Sequence, residues 1–540
     1  MRFKRVTCLL LAVAATATAA AAAPESLVYL FAGNTSIYTE RVARTKGNLT
    51  ALCPDYFELS ASGHLAVTAR ADGAFIAEMQ KTGAEVVPFL SNHWDMTLAR
   101  AALNNRAALA NEIALAVMSL GADGVDIDIE NINHNDRAAF TDFIRLLRAE
   151  LGPEKILSVA VPANPWGWTI GWHGAYDYAA LAKYADHLFI MAYDESYQGG
   201  PEGPVASYPF VRKSVEYALR YTAPEKIMLG IPFYGRYWPA GGGAGGKALT
   251  VANIRSLTAR YPTSLTYDTG ADSPRAVITI PRSAEETALW GGKSLGSGVY
   301  TVWYENETSW QKKLNLVREF GLKGAGAWAL GQEPEDIWGS YRMWLQGLPF
   351  NDIYGHWAEQ YITDMYDKGV VTGIGNIYAP QRSITRAEAL VVVARLAELE
   401  PEADPQAFGD VRGHWAAPVI NTAAKYGIAQ GHEGKFRPED PVTREEFAVL
   451  LMRVLNLPQT VDATARYYID VSAGKNPWSI EAITELYIHG VLSPPADGRF
   501  RPKSPITRGE VAKMAAVAHR LPRGLKTAER QAHPFTVEPR

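Results

Sequence analysis

Along the first two thirds of the chain, short apolar runs alternate with stretches of helical period. The runs fall at 26–31 (SLVYLF), 49–53 (LTALC), 85–90 (EVVPFL), 124–130 (GVDIDIE), 156–162 (ILSVAVP), 187–193 (HLFIMAY), 227–233 (IMLGIPF) and 324–330 (GAGAWAL). Each has the length and β-branched or aromatic content of a buried strand. Between them lie amphipathic segments such as 137–151 (RAAFTDFIRLLRAEL). Eight strand–helix units predict an α/β fold, a closed (β/α)8 TIM barrel over 25–348, with function at the C-terminal ends of its strands. The longest interval, about 237–307, holds strand-like RAVITI (275–280) and is expected to be a small insertion subdomain. Its GGGAGG (241–246) lacks the Lys-Ser/Thr ending of a phosphate loop and reads as a flexible loop.

After residue 350 the pattern changes to three copies of one unit, expected over 350–400, 406–458 and 466–522. FNDIYGHWAEQYI (350–362), FGDVRGHWAAPVI (408–420) and YIDVSAGKNPWSIEAI (468–483) align, as do ITRAE (384–388), VTREE (442–446) and ITRGE (506–510). Asp352 to Asp410 and Arg386 to Arg444 are both 58 residues apart, whereas Asp470 and Arg508 follow at 60 and 64. Such a period marks small helical units that stack to share a core. In each copy Thr stands three residues before Glu, ahead of an apolar run, which is the signature of a capping box. That accounts for Thr and Glu but not for Arg386, Arg444 and Arg508. The tail, 523–540, has no apolar period and is expected to be disordered.

One strand breaks the apolar rule. In GADGVDIDIENIN (121–133), Asp126, Asp128 and Glu130 alternate with Val125, Ile127 and Ile129. Strand geometry puts the three acids on one side, inward in a barrel, with Glu130 nearest the mouth. Burying three acids together costs stability, so a purely structural role is hard to justify. Asp128, about 6.6–6.8 Å behind Glu130, would raise its pKa and equip it to donate a proton to a leaving oxygen. No second carboxylate stands where a nucleophile would be needed.

Composition narrows the partners. The 540 residues are 47% hydrophobic and 20% charged, with Lys plus Arg 53 against Asp plus Glu 57 and a net charge of −4. This is a multidomain globular chain with no electrostatic case for nucleic acid. Residues 1–23 have a basic start, an apolar stretch and small residues before Pro24, the layout of a signal peptide, and no other segment is apolar and long enough to span a bilayer. Only Cys53 would remain after its removal, expected as a buried structural thiol. No metal-ligand cluster and no cofactor motif are found.

DGVDIDIE resembles the DGxDxDxE signature of family 18 glycoside hydrolases, the chitinase-like enzymes, in which the substrate's own N-acetyl group replaces the missing nucleophile. The resemblance implies Glu130 as general acid/base, Asp128 orienting the acetamido group, Asp126 supporting Asp128, and Tyr193 of MAYD hydrogen-bonding the N-acetyl carbonyl. Asp123 would help hold the strand's geometry and joins Met191, Asp194, Tyr234, Arg236 and Trp328 in the substrate-binding set. Trp328 would be the floor under the sugar ring; Tyr234 and Arg236 come from GIPFYGR (230–236). Trp166, Trp168 and Trp172 suit either a glycan-binding loop or ordinary packing. With YDESYQGGPEGPVA (193–206), that loop looks closer to bacterial wall-lytic and spore-cortex members than to insect or fungal chitinases.

The repeats resemble S-layer homology domains, an all-α-rich trimer-like unit that binds pyruvylated polymers of the bacterial cell wall. By that resemblance Asp352, Trp357, Arg386, Asp410, Trp415, Arg444, Asp470, Trp478 and Arg508 line three grooves, with exposed helix-terminal amides and arginines meeting the anionic ketal. Trp478 follows GKNP instead of GH, so the third groove departs from the pattern. The expectation is a secreted, wall-anchored, monomeric retaining glycosidase. It would cut β-1,4 linkages in N-acetylglucosamine-containing glycans, peptidoglycan or chitin, with no metal, cofactor or membrane span. A non-catalytic glycan-binding protein on the same barrel is the alternative, and a mainly structural S-layer protein the third reading.

Overall fold

The computed structural model describes residues 23–240, 245–283, 287–288, 294–402, 406–457 and 467–521. Residues 1–22 of the expected signal peptide, 241–244 of the Gly-rich loop and the whole expected tail lie outside the described residues. The chain divides into two compact units, Met1–Trp338 and Gly339–Arg540. Helix Tyr341–Leu345, which buries Tyr341, Met343, Trp344 and Leu345, lies in the second unit.

In the first unit the parallel strands follow the apolar runs. They are β1 (Glu25–Leu30), β2 (Ala51–Leu59), β3 (Glu85–Val86), β4 (Phe89–Ser91), β5 (Gly124–Asp128), β6 (Ile156–Pro162), β7 (His187–Met191) and β8 (Ile227–Pro232). The chain then leaves the barrel for an antiparallel sheet built of β9 (Tyr234–Pro239), β10 (Lys247–Thr250), β11 (Thr263–Asp268), β12 (Ser273–Ile280) and β13 (Gly298–Trp303). It returns as β14 (Gly324–Trp328), which pairs with both β8 and β1. Because β1 also pairs with β2, the sheet closes as an eight-position parallel barrel in which β3 and β4 share one position.

Three details depart from the pattern reading. β2 runs past Pro54 to Leu59, although a proline inside an apolar run argues for ending a strand. EVVPFL divides at Val87–Pro88 into two short strands. The acid-bearing strand stops at Asp128, leaving Glu130 on the following turn. Helix α1 (Arg137–Leu151) matches its amphipathic segment and buries Phe140, Phe143, Ile144, Leu147 and Leu151.

The barrel interior is filled by Leu27, Tyr29, Cys53, Phe89, Phe189 and Met228 with small residues between. Phe189 fits because Gly230 and Gly326 flank it; a Cβ there would stand 2.8 Å and 2.5 Å from its ring. Cys53 is fully buried, and burial pushes its thiol well up, so it is inert packing.

The second unit is three helix pairs: α2 (Glu359–Asp367) with α3 (Arg386–Leu396), α4 (Ala417–Lys425) with α5 (Arg444–Leu455), and α6 (Ile480–Ile488) with α7 (Arg508–His519). Thr385, Thr443 and Thr507 close capping boxes with Glu388, Glu446 and Glu510. Ahead of these caps the backbone forms a three-membered ring. The Val442 N–H donates to the Ile384 carbonyl (3.0 Å), Ile506 to Val442 (3.0 Å) and Ile384 to Ile506 (3.1 Å). Each second helix then packs on the first helix of the next copy: α3 on α4, α5 on α6, and α7 back on α2. The three repeats close on themselves.

Candidate active site

A cleft of about 770 Å³ opens where β1, β5, β7, β8 and β14 end, walled on one side by the inserted sheet. β5 carries the acids into it in order of depth. Asp126 is fully buried and accepts hydrogen bonds from the Tyr29 hydroxyl (2.9 Å) and from Ser158. Burial raises its pKa to about 6, those two donors opposing the shift. Asp128 and Glu130 line the cleft. Burial, then the charges of Glu130 and Asp126, holds the Asp128 carboxyl well above the usual carboxylate range, and its Oδ1 is buried without a hydrogen-bond partner. Glu130 is raised to about 7, first by burial and then by the Asp194 charge. Asp128 and Glu130 repel each other, and Asp194 adds a second like charge at Glu130.

Although Glu130 lies beyond the strand, its backbone is held on two sides. Its N–H donates to Asn92 Oδ1 (2.7 Å), and Asn92 Nδ2 donates to its carbonyl (2.9 Å). Ser91 pairs with Asp128 across β4 and β5, so Asn92 leaves β4 level with Glu130. The next residues, His93 and Trp94, have φ of 49° and 65°, a left-handed backbone uncommon for bulky side chains, and Asn131 Nδ2 donates to the Trp94 carbonyl (2.8 Å).

Opposite the acids, Met191, Tyr193 and Asp194 come from the end of β7. Burial, then Tyr234 and the nearby acids, pushes the Tyr193 phenol well up, so it is a neutral hydroxyl donor. Asp194 accepts from Tyr234 (2.5 Å) and from two Arg236 nitrogens (2.9 and 2.7 Å), a fork that spends both of its oxygens. Trp328, at the end of β14, forms the floor, its ring 5.3 Å from those of Tyr29 and Phe31. The cleft thus gathers Asp128, Glu130, Met191, Tyr193, Asp194, Tyr234, Arg236 and Trp328, with Asp126 beneath.

Asp123 is not among them. It precedes β5 at the opposite end of the barrel and accepts from Gln80 (3.0 Å) and the Val86 N–H (2.7 Å), tying β3 to β5. Its expected place in the substrate-binding set is corrected to a structural one. Trp166 and Trp168 are about half exposed and stack on each other at 4.9 Å, while Trp94 and Trp172 meet edge to face at 5.1 Å, all on loops outside the cleft lining.

The repeats also correct the expectation. Asp352, Asp410 and Asp470 each accept two backbone N–H groups of their own repeat: Tyr378 and Ala379, Phe436 and Arg437, Phe500 and Arg501, at 2.6 to 2.8 Å. Their oxygens stitch loops. The arginines reach into the next copy. Arg386 Nε donates to the Phe436 carbonyl (3.0 Å) and Nη1 to Glu446 (2.9 Å). Arg444 donates to Phe500 (2.6 Å) and pairs with Glu510, and Arg508 donates to Tyr378 (2.7 Å) and Thr372 (2.6 Å). The amides at the helix starts are occupied too: Arg386 N–H by Asp440, Arg444 by Ser504, Arg508 by Arg382, all at 2.9 Å. No open amide nest remains at these three N-termini. What faces outward is tryptophan, with Trp357, Trp415 and Trp478 exposed at 53%, 62% and 37%. The third copy differs in partners, since Asn476 and Ser479 donate to buried Glu445 (3.0 and 2.7 Å), which also pairs with Lys503 (2.5 Å).

Residues 78–333 match the model of glycosyl hydrolases family 18, and residues 349–390, 407–448 and 468–512 that of the S-layer homology domain. The chain carries a family 18 domain followed by three S-layer homology domains. The family 18 domain is similar to a putative sporulation-specific glycosylase, YdhD, of Bacillus subtilis (31% identity over 253 residues, 46% of this chain and 57% of that one). It is also similar to the cortical fragment-lytic enzyme of the same organism (28% identity over 296 residues, 49% and 65%). The chain thus spans a little over half the length of these curated relatives. Among solved structures, the chitinase from Chromobacterium violaceum ATCC 12472 aligns with a TM-score of 0.53 at 26% identity, covering 60% of this chain and 99% of that one.

Several residues of the cleft were not legible from the signature. Asn92, Tyr29, Ser158, Phe31, Gln198, Lys247 and Gln332 support or line it. Tyr29 and Ser158 could have been found by extending the inward alternation of β5 to β1 and β6. Lys247 and Gln198 lie on an insertion strand and a loop, where alternation says nothing. Among the described residues no group of three or more His, Cys, Asp and Glu could hold a metal ion, and no helix is long and apolar enough to cross a membrane.

Proposed function

We propose that the family 18 domain is a retaining glycosidase that hydrolyses β-1,4 linkages in N-acetylglucosamine-containing glycans by substrate-assisted catalysis. The observation that carries this is Glu130, a carboxylic acid with a pKa of about 7 at the rim of a cleft offering no free nucleophile. Of the other acids lining the cleft, Asp194 is bound on both oxygens by Tyr234 and Arg236, and Asp128 sits two residues behind Glu130. Glu130 gives its proton to the leaving oxygen as the glycosidic bond breaks. The neighbouring 2-acetamido carbonyl oxygen attacks the anomeric carbon, closing an oxazolinium ring and displacing the leaving group. Asp128 orients the acetamido N–H and stabilises the positive charge, while Asp126, tied to Tyr29 and Ser158, holds Asp128 in place. Tyr193 donates to the acetamido oxygen, and Trp328 lies under the ring. Glu130, now a carboxylate, takes a proton from water as the water opens the oxazolinium with net retention.

The S-layer homology domains support a chain held at the bacterial cell surface by a wall polymer, with the exposed tryptophans as its contact points. Glu130→Gln tests the catalytic reading. Turnover should fall by about 10²–10⁴-fold while oligosaccharide binding persists. Unchanged turnover sinks the acid assignment. A thiazoline analogue of the oxazolinium should inhibit, and de-N-acetylated strands should be inert. The alternative of a non-catalytic glycan binder has no observation in its favour, since the acid set is complete.

A further inference from the structure

The cleft holds one charge that the proposed chemistry does not use. Lys247 lies at the start of β10, opposite Tyr237 of β9, and lines the cleft from the wall of the inserted sheet. Its side chain is exposed and, among the described residues, has no hydrogen-bond or ion-pair partner. The other charged groups in the lining are accounted for. Arg236 and Asp194 are joined in a forked pair, and Asp128 and Glu130 are engaged in the proposed chemistry. Lys247 is thus the uncompensated cation facing a bound glycan. The backbone beside it is fixed, because the Gly246 N–H donates to the Tyr237 carbonyl (2.8 Å) and the Gly246 carbonyl accepts from Arg236 (2.6 Å). The guanidinium that clamps Asp194 therefore also sets where the Lys247 stem leaves the strand.

A strand of N-acetylglucosamine alone is neutral and gives an ammonium nothing to pair with. N-acetylmuramic acid differs by a lactyl ether whose carboxylate is free only when no peptide is attached, since the peptide consumes it as an amide. We propose that Lys247 makes the cleft select glycan strands bearing a free lactyl carboxylate over neutral strands. This rests on the glycosidase reading of the same cleft. It places the chain after a reaction of the amide-hydrolysing class, which frees that carboxylate by removing the peptide.

The test compares three substrates with the full chain: peptide-free oligomers alternating N-acetylglucosamine and N-acetylmuramic acid, the same oligomers with the lactyl carboxyl converted to a simple amide, and chitin oligosaccharides. Wild type should prefer the carboxylate form over the amide by about fivefold in kcat/KM, through KM, and added salt should erase the preference. Lys247→Met should bring the ratio of carboxylate to amide form to one, while Lys247→Arg keeps the preference. Equal wild-type rates on carboxylate and amide overturn the proposal, as does an equal loss on all three substrates in Lys247→Met. Absence of turnover on every substrate by wild type would instead bring down the underlying glycosidase reading.

Discussion

At the scale of single residues, Glu130 holds its proton to about pH 7 because water is excluded around it and Asp194 lies near. A reaction that needs the protonated acid should lose rate above that pH, approaching tenfold per unit, in the profile of kcat/KM. Asp194→Asn removes one of the charges that raise Glu130, so the alkaline limb should move to lower pH; an unmoved limb would assign it to another group. Asp126 makes a separate prediction about stability. Its folded pKa, about 6, lies above its ordinary 3.8, so the folded state binds the proton more tightly. That contribution is fully present below pH 3.8 and lost as pH rises through about 6. Asp126→Asn, which keeps an acceptor for one of Ser158 and Tyr29 and sets an NH2 donor beside the other, should lower activity yet raise the unfolding midpoint of the first unit at pH 8. The gain is on the order of 1–3 kcal/mol at most. The acid alternation and the repulsion between Asp128 and Glu130 were legible in the sequence, but the added charge of Asp194 was not, because it lies 64 residues from Glu130 along the chain.

At the scale of elements, the capping boxes and α1 follow local rules: side chains within three or four residues satisfy the helix ends and line one face. The repeat arginines obey no local rule. Their carbonyl partners lie 50, 56 and 130 residues away, and the last of these closes the ring from the third copy to the first. An arginine beside a helix start reads as an anion receptor when its neighbours are unknown. In the folded unit it is a clasp, stacked over the aromatic ring whose carbonyl it binds, at 5.0, 5.1 and 4.4 Å. Arg386→Ala should remove the donor to the Phe436 carbonyl and to Glu446 Oε1, at a cost on the order of 2–4 kcal/mol to the second unit. Calorimetry of the full chain should show one transition moving down and the barrel's staying in place. If Arg386→Ala instead weakens wall binding with no change in that transition, the residue serves the ligand after all.

At the scale of the whole molecule, the division at Trp338/Gly339 separates the proposed chemistry from the proposed anchoring. Removing residues 349–540 should abolish co-sedimentation with isolated bacterial walls while leaving turnover of soluble oligosaccharides within about twofold. Co-sedimentation retained by the truncated chain would place the wall contact on the barrel, where the half-exposed Trp166–Trp168 stack is the surface to test next. The eight-position barrel, its insertion and the three repeats were all readable along the chain, since each rests on periodicity over short windows. The insertion's extent, Tyr234 to Trp303, was nearly so.

By itself, then, the sequence determined the strands and helices, the count of repeats and the inward row of acids, because alternation and helical period act between residues a few positions apart. Only the tertiary structure decided that Asp123 braces the far end of the barrel, that the arginines clasp repeats together, that Asp194 adds its charge at Glu130, and that Lys247 lines the cleft. Burial, charge and hydrogen-bond supply at those positions come from segments distant in the chain, and they exist only once the barrel and the ring of repeats have closed.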